Sequence, residues 1–535
     1  MKSIKKFLAV ILSMTLMLTL GTAAFGAQKT LPSGKDTGSI NVTNLKPGDT
    51  VTAYQFVKAD YNEYGFTGYS AINNYVKDPV APTAQEVIDM ASNAATMTVA
   101  AEKKVATGDT EVTINGLPVG YYLVMVTSGS ETVYSPMIAG IYYSKSATDN
   151  TLTNGAISAD SDFEIKAQKC WAKSSTPKLE KTIVTPSSKN SKGDDIAIGD
   201  KITFNLSATV PSYSKEYKKV TYKIYDIMSE GLDYVDGSMK CFIEKYENNR
   251  ENIKVTPKVN GGIIEITFDS KFILEHPGQK IQVEYQAKLN EKAGINFDAN
   301  INKAYLEYSN NPASGSTAKT GEDKVYVYTF GIDSNLFGKS TEKWNEKTKE
   351  LIKVEEGEYQ WVETEKESGI FTTTTALEGA TFTLTNNKTK KSYTATSDKY
   401  GYLKFTGLDA GEYTLQETDA PDGFTLNDAK HTVVITAEYN QDGTLKSYTI
   451  KIDDKATSTY TATYDKGVIK TITSTKDSQG NISESAILKN SKMSFLPSTG
   501  GVGTTIFAIV GVVFVVVALG LHMILRGKSK LEQDR

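Results

Sequence analysis

Apolar and polar residues alternate along most of the chain in short runs, each closed by Gly, Asp, Asn or Pro. Lys201–Val210 (KITFNLSATV), Ile263–Phe268, Ile281–Leu289 and Ala380–Leu384 are of this kind, and period-two runs of such length predict half-buried strands. Several per unit predict β-sandwiches, so the expected fold class is all-β. A helix is expected only around Thr83–Ser92, and the charged stretch Lys339–Lys366 receives no assignment. Two segments depart from the alternation. Residues 1–26 carry Lys2, Lys5 and Lys6, an apolar run from Phe7 to Leu20, and then small residues. This is the pattern of a secretory signal peptide, so the mature chain should begin at Ala27. Thr504–Leu525 is apolar over about 22 residues, about 33 Å as a helix, which is long enough to cross a bilayer core. Arg526, Lys528 and Lys530, in the tail 526–535, should hold its C-terminal end inside.

Between these ends, polar, proline-containing breaks stand at Ser174–Pro177 and near Ser309–Pro312. Lys324–Phe330 (KVYVYTF) still reads as the strand closing the second unit, which moves that boundary beyond the second break. The expected domains are 27–173, 174–330 and 331–495, each of ordinary domain size. One internal repeat is visible. Asn115–Val124 (NGLPVGYYLV) and Thr406–Leu415 (TGLDAGEYTL) share Gly, Leu, Gly and Tyr at the same spacing, so the first and third units are expected to share a fold. Glu417 of the third unit is matched by Val126 in the first.

Composition narrows the function. In 535 residues, 59 Lys+Arg against 63 Asp+Glu leave a net charge of −4, so no broad basic field exists to collect nucleic acid. Three histidines, His276, His431 and His522, leave little for a His-ligated metal or a His-based triad. Cys170 and Cys241 cannot build a disulfide-dense scaffold or a four-thiolate zinc site; they read as buried free thiols, the alternative being a pair between them, which a secreted chain permits. No cofactor and no metal are expected. A wall-bound hydrolase would need a cleft with perturbed acids, and the acids that stand out belong instead to sandwich interiors.

Strand side chains alternate faces, so a polar group in step with apolar neighbours is being carried into a core. Glu417 is in step with Tyr413 and Leu415. Lys181 is in step with Leu179 and Ile183, Asp226 with Tyr222 and Ile224, and Asn302 with Ala304 and Leu306. Each such burial is costly unless the group is neutral or paired. A desolvated lysine shifts toward the neutral, nucleophilic amine, and a protonated carboxyl beside it can polarise an amide carbonyl and shuttle protons as ammonia leaves.

Just before the apolar span, Leu496-Pro497-Ser498-Thr499-Gly500 resembles the LPxTG sorting signal of Gram-positive surface proteins. The resemblance implies that a sortase cysteine attacks the Thr499 carbonyl, releases Gly500 onward and passes the acyl group to an amine. Tyr413–Phe424 (YTLQETDAPDGF) resembles the E-box of Gram-positive pilins, whose glutamate promotes a Lys–Asn isopeptide bond in CnaB-type sandwiches. That implies a promoting role for Glu417 and makes Asn490 the amide partner. The family's lysine falls near Leu336 here, and the nearest lysine is Lys339. Pro177–Lys181 (PKLEK) and Asn302–Asn310 (NKAYLEYSN) resemble the CnaA-like middle domain of pilins, implying a crosslink between Lys181 and Asn302 assisted by Asp226. Such a bond would close a loop of about 120 residues, worth about 4–5 kcal/mol in the chain-entropy account. Trp171-Ala172-Lys173 resembles the YPK-type pilin motif with Trp for Tyr and Ala for Pro, which implies Lys173 as the acceptor amine, with Lys169 as the second candidate.

Taken whole, the chain resembles the LPxTG-anchored major pilins, with tandem Ig-like (Cna-type) β-sandwiches. The resemblance implies a shaft subunit rather than an enzyme, joined head to tail with other copies of itself in an open chain. Its implied partners are pilus-specific and housekeeping sortases, minor pilins and peptidoglycan, and its implied place is the cell surface. The alternative is a monomeric wall-anchored adhesin stalk built from the same domains and lacking an acceptor lysine.

Overall fold

A computed structural model of the chain describes residues 31–129, 131–145, 156–157, 163–184, 186–246, 249–332, 338–340, 349–353, 359–363, 373–375, 378–398, 403–421, 424, 426–453, 456–465, 467–476 and 487–489. The signal segment, Leu336, Asn490, the sorting residues Leu496–Gly500 and the apolar span Thr504–Leu525 lie outside these. Among the described residues no helix is long and apolar enough to cross a membrane.

Strands dominate, and the buried apolar residues among those described gather in four clusters, two in the first unit and one in each of the others. In the first unit a sheet ordered Gly65–Ala71, Thr50–Asn62, Gly120–Thr127, Met137–Ser144, Glu164–Ala167 carries Val99–Lys104 beside Thr50–Asn62. Strand Gly120–Thr127 (GYYLVMVT) is buried on both sides, which is why it reads as a continuous apolar run rather than an alternation. Tyr122 and Val124 face the core shared with strands Thr37–Thr43 and Glu111–Pro118. Tyr121 and Leu123 face Val87 and Met90 of helix Ala84–Ser92. That helix starts where expected, because Thr83 and Glu86 cap each other: Glu86 N–H donates to Thr83 Oγ1 and Thr83 N–H to the Glu86 carboxylate.

The second unit is a sandwich. One sheet runs Leu179–Ile183, Lys201–Thr209, Lys280–Leu289, Lys240–Tyr246, Asn249–Ile253. Its partner runs Gly193–Asp195, Asp323–Tyr328, Asn300–Asn311, Tyr222–Met228, Ile263–Thr267, Lys258–Asn260. Ser309–Asn311, read from sequence as part of a break, completes a strand, and Pro312–Gly315 is the turn into Ser316–Lys319. Gly315 sits at φ +72°, the left-handed backbone region that glycine adopts at little cost. A helix not anticipated from sequence, Ser270–Glu275, is capped by Asp269 and is too short to leave a periodic signature.

After Tyr328 the chain leaves this sandwich, and Phe330–Ile332 pairs with Phe405–Leu408. The third unit's main sheet runs Ser392–Thr396, Thr381–Asn386, Gly411–Asp419, Lys430–Tyr439, Leu445–Ile452, Ala456–Asp465, Val468–Lys476. The unassigned charged stretch contributes strands Lys349–Lys353 and Tyr359–Glu363, which pair with each other, the latter also with Thr373–Thr375. The repeat motif does the same thing in both units where it occurs: it carries the chain from a small sheet into the main one. Gly116 and Gly407 hold φ +74° and +77°, and Tyr122 and Tyr413 each donate their hydroxyl to the carbonyl four residues back, at 2.5 and 2.8 Å. These are tyrosine corners, of the kind that pin strand connections in Ig-like sandwiches.

Candidate functional site

Lys181, Asp226 and Asn302 meet in the middle of the second sandwich, and none of the three exposes any surface. Lys181 comes from the edge strand Leu179–Ile183 of one sheet. Asp226 and Asn302 come from adjacent strands of the other, with Asp226 opposite Ala304 and Met228 opposite Asn302. Alternation alone directs all three inward, as their apolar neighbours in the stripes require.

Lys181 Nζ donates to Asp226 Oδ2. It lies 3.1 Å from the hydroxyl of Tyr285, and 5.0 and 5.3 Å from the ring centres of Phe204 and Tyr285. The Tyr285 hydroxyl donates to Asp226 Oδ1 at 2.7 Å and accepts from Asn302 Nδ2 at 2.7 Å. Asn302 Oδ1 is buried and has no hydrogen-bond partner among the described residues. Loss of water lowers the Lys181 pKa, against the pull of Asp226. The same loss of water raises the Asp226 pKa, against the pull of Lys181. Both shifts favour a neutral amine next to a neutral carboxyl, the pair that amide attack requires.

Tyr285 is the member that sequence reasoning missed. It stands in the inward stripe Ile281, Val283, Tyr285, Ala287, Leu289, where an aromatic ring passes for ordinary core. The carbonyl contact anticipated for Asp226 is not made, and Tyr285 stands between Asp226 and Asn302.

The nucleophile's strand is held from outside as well. Leu179–Ile183 pairs on one side only, so Lys181's own backbone faces an open edge. Asp323 Oδ2 accepts from Lys181 N at 2.7 Å and from Lys192 Nζ at 2.6 Å, and Lys192 Nζ donates to Lys181 O at 2.6 Å. One ion pair thereby satisfies both free backbone groups of the lysine.

In the third unit Glu417 is 2% exposed and faces inward with Tyr413 and Leu415, and accepts from Asn427 N at 3.0 Å. Strand Gly338–Ser340 runs parallel to Ile487–Lys489, with Lys339 opposite Leu488. At the junction of the first two units, strand Lys169–Trp171 pairs with Thr37–Thr43. Lys169 and Lys173 are exposed, Trp171 is 68% exposed, and Ala172 between them is fully buried. The Lys173 carbonyl accepts from Ser135 N at 3.1 Å, which ties the backbone of this lysine to the first unit. Cys170 and Cys241 are buried free thiols in different cores, each pushed up to about 12 by burial.

Residues 35–174 match the T6 antigen Ig-like domain, residues 360–453 the prealbumin-like fold domain SpaA, and residues 489–530 the LPXTG cell wall anchor motif. The trypsin-resistant surface T6 protein of Streptococcus pyogenes serotype M6 is 26% identical over 93% of this chain and 96% of its own length. The solved structure of the T6 backbone pilin of that serotype, described as a modular three-domain structure, superposes with a TM-score of 0.55 at 21% identity, covering 83% of this chain and 95% of that one. The major pilin SpaD of Corynebacterium diphtheriae gives a TM-score of 0.44 at 18% identity, over 75% of this chain and 91% of that one. Tandem β-domains ahead of a wall-anchor motif define a class, the surface proteins fixed to the Gram-positive cell wall. Within that class the chain is similar over nearly its whole length to the T6 surface protein, and it has the fold of the T6 backbone pilin.

Proposed function

We propose that the chain is the repeating shaft subunit of a covalent surface pilus, in which Thr499 of one copy is joined to Lys173 of the next and each copy staples itself between Lys181 and Asn302. The observation that carries the staple is the convergence of Lys181, Asp226 and Asn302 in a fully buried site. Buried ion pairs are a poor source of stability by themselves, so a lysine placed here has a better use as a nucleophile. The exposed Lys173, at the end of the first unit and within the motif-like Trp171-Ala172-Lys173, supports the head-to-tail joint. The inward-facing Glu417 and the parallel pairing of Gly338–Ser340 with Ile487–Lys489 support a second staple in the third unit, between Lys339 and Asn490. A pilus-specific sortase would make the polymer. A housekeeping sortase would transfer it to peptidoglycan, and minor pilins would complete it.

The test is the intact mass of the chain Ala27–Thr499, with peptide mapping, since each amide exchange expels one ammonia, about 17 Da. A deficit mapped to Lys181 and Asn302, absent from Asp226→Ala, is expected, and an unmodified mass overturns the staple. For the joint, Lys173→Ala should abolish sortase-made polymer while Lys169→Ala leaves it. Polymer from Lys173→Ala would move the acceptor elsewhere.

A further inference from the structure

We infer that Tyr285 is a catalytic residue of the second-unit crosslink, relaying the proton that releases ammonia from Asn302. The inference rests on the Lys181–Asn302 reaction proposed above. Amide exchange must move one proton from the attacking nitrogen to the departing one. Lys181 Nζ touches Asp226 Oδ2, but Asp226 has no hydrogen bond to Asn302, so a carboxyl acting alone leaves the path broken. The Tyr285 hydroxyl closes it, at 2.7 Å from Asp226 Oδ1 and 2.7 Å from Asn302 Nδ2.

The step balances without any other reactant. The Lys181 Nζ lone pair attacks Asn302 Cγ and forms the new C–N bond. Asp226 enters the step as the neutral acid with its proton on Oδ1, so that its bond to Tyr285 runs opposite to the resting one; Nζ gives one proton to Oδ2, and Oδ1 gives one to the Tyr285 oxygen. Tyr285 passes its own hydroxyl proton to Nδ2, the Cγ–Nδ2 bond breaks with its electron pair on nitrogen, and ammonia leaves. Asp226 and Tyr285 finish as they began, an acid and a phenol. In the resting amide Nδ2 can only donate, as it does to Tyr285. In the tetrahedral adduct it loses amide resonance and gains a lone pair, so the same contact reverses direction at the moment a proton is needed. Burial keeps Tyr285 protonated at every ordinary pH, as a relay requires.

The structure also bears on what else Tyr285 could be doing. Its ring packs against Phe204 and Tyr234, so Phe at this position keeps the apolar contacts and removes only the oxygen. The experiment follows closure of wild type, Tyr285→Phe and Asp226→Ala in the chain Ala27–Thr499 by intact mass during incubation at 37 °C. Expected are a wild type already closed when purified, Tyr285→Phe closing on the order of 10²-fold more slowly, and Asp226→Ala not closing. An Asn302→Ala chain, open like freshly made Tyr285→Phe, supplies the folding control: cooperative urea unfolding of Tyr285→Phe in the same range shows that the chain lacking the oxygen is folded and that its slow closure is chemical. Wild type closed and Tyr285→Phe closing equally fast would overturn the relay and leave the crosslink standing. Wild type open would overturn both.

Discussion

An ammonium group removed from water must be neutralised by proton loss, by a partner or by reaction, and Lys181 has all three within reach. The cost of leaving its partner alone is open to measurement. Lys181→Met, which removes staple and cation together, strands the fully buried Asp226. We expect it to lose about 1–3 kcal/mol in urea unfolding beyond an Asn302→Ala chain, which is equally unstapled but keeps the Lys–Asp contact. Adding Asp226→Leu to Lys181→Met should recover most of that difference, and failure to recover it would mean the carboxyl is not the source of the loss. At this scale the site was legible wherever a polar side chain interrupts an apolar stripe, as Lys181, Asp226 and Asn302 do. Tyr285 was not legible, because a tyrosine ring satisfies the stripe and only the position of its hydroxyl, fixed by three other strands, reveals its use. The Asp323–Lys192 clamp was hidden for a similar reason: it acts on the backbone of Lys181, about which side-chain patterns say nothing.

Between elements, the two tyrosine corners show what a repeat of four residues can convey. Gly, Leu, Gly and Tyr at shared spacing encode a positive-φ turn and a hydroxyl returning to the backbone, so the likeness of connection was readable without any knowledge of the sheets it joins. The corners differ in one respect. Tyr413 also donates to the Asp409 carboxylate at 2.5 Å, whereas Tyr122 bonds the Pro118 carbonyl. Tyr413→Phe is expected to cost about 1.5–3 kcal/mol and Tyr122→Phe about 1 kcal/mol, read as shifts in urea midpoint at constant slope. Equal losses would remove the carboxylate from the account. The strands of Lys349–Glu363 escaped sequence reading because frequent charge masks their alternation, and the short helix Ser270–Glu275 escaped because a single turn and a half has no period to detect.

Across the whole molecule, the second and third units are joined by a buried acid. Asp195 Oδ1 accepts from Ala410 N at 2.5 Å and Oδ2 from the Tyr439 hydroxyl at 2.7 Å, while Leu445 N donates to the Tyr328 hydroxyl at 2.9 Å. Burial raises Asp195 to about 6, partly offset by those two donors, with Asp194 and Asp409 adding to the rise. The folded chain therefore holds this proton more tightly than the unfolded one, whose value is near 3.8. The penalty for the charged form is full above pH 6 and is relieved as pH falls toward 4, amounting to about 2–3 kcal/mol. Wild type minus Asp195→Asn in unfolding free energy should become more favourable to wild type across that window, and a flat difference would place the titration elsewhere. A last consequence concerns which parts of such a fibre bear load. With Lys173 as the acceptor, a pull between neighbouring subunits enters at residue 173 and leaves at residue 499. The units after the junction lie in series with the force, and the first hangs beside it like a pennant on a cable. The first unit has Val126 where the third has Glu417, and none of its described lysines is buried. A domain that is never stretched needs no staple, and its exposed loops are free to diverge without weakening the line.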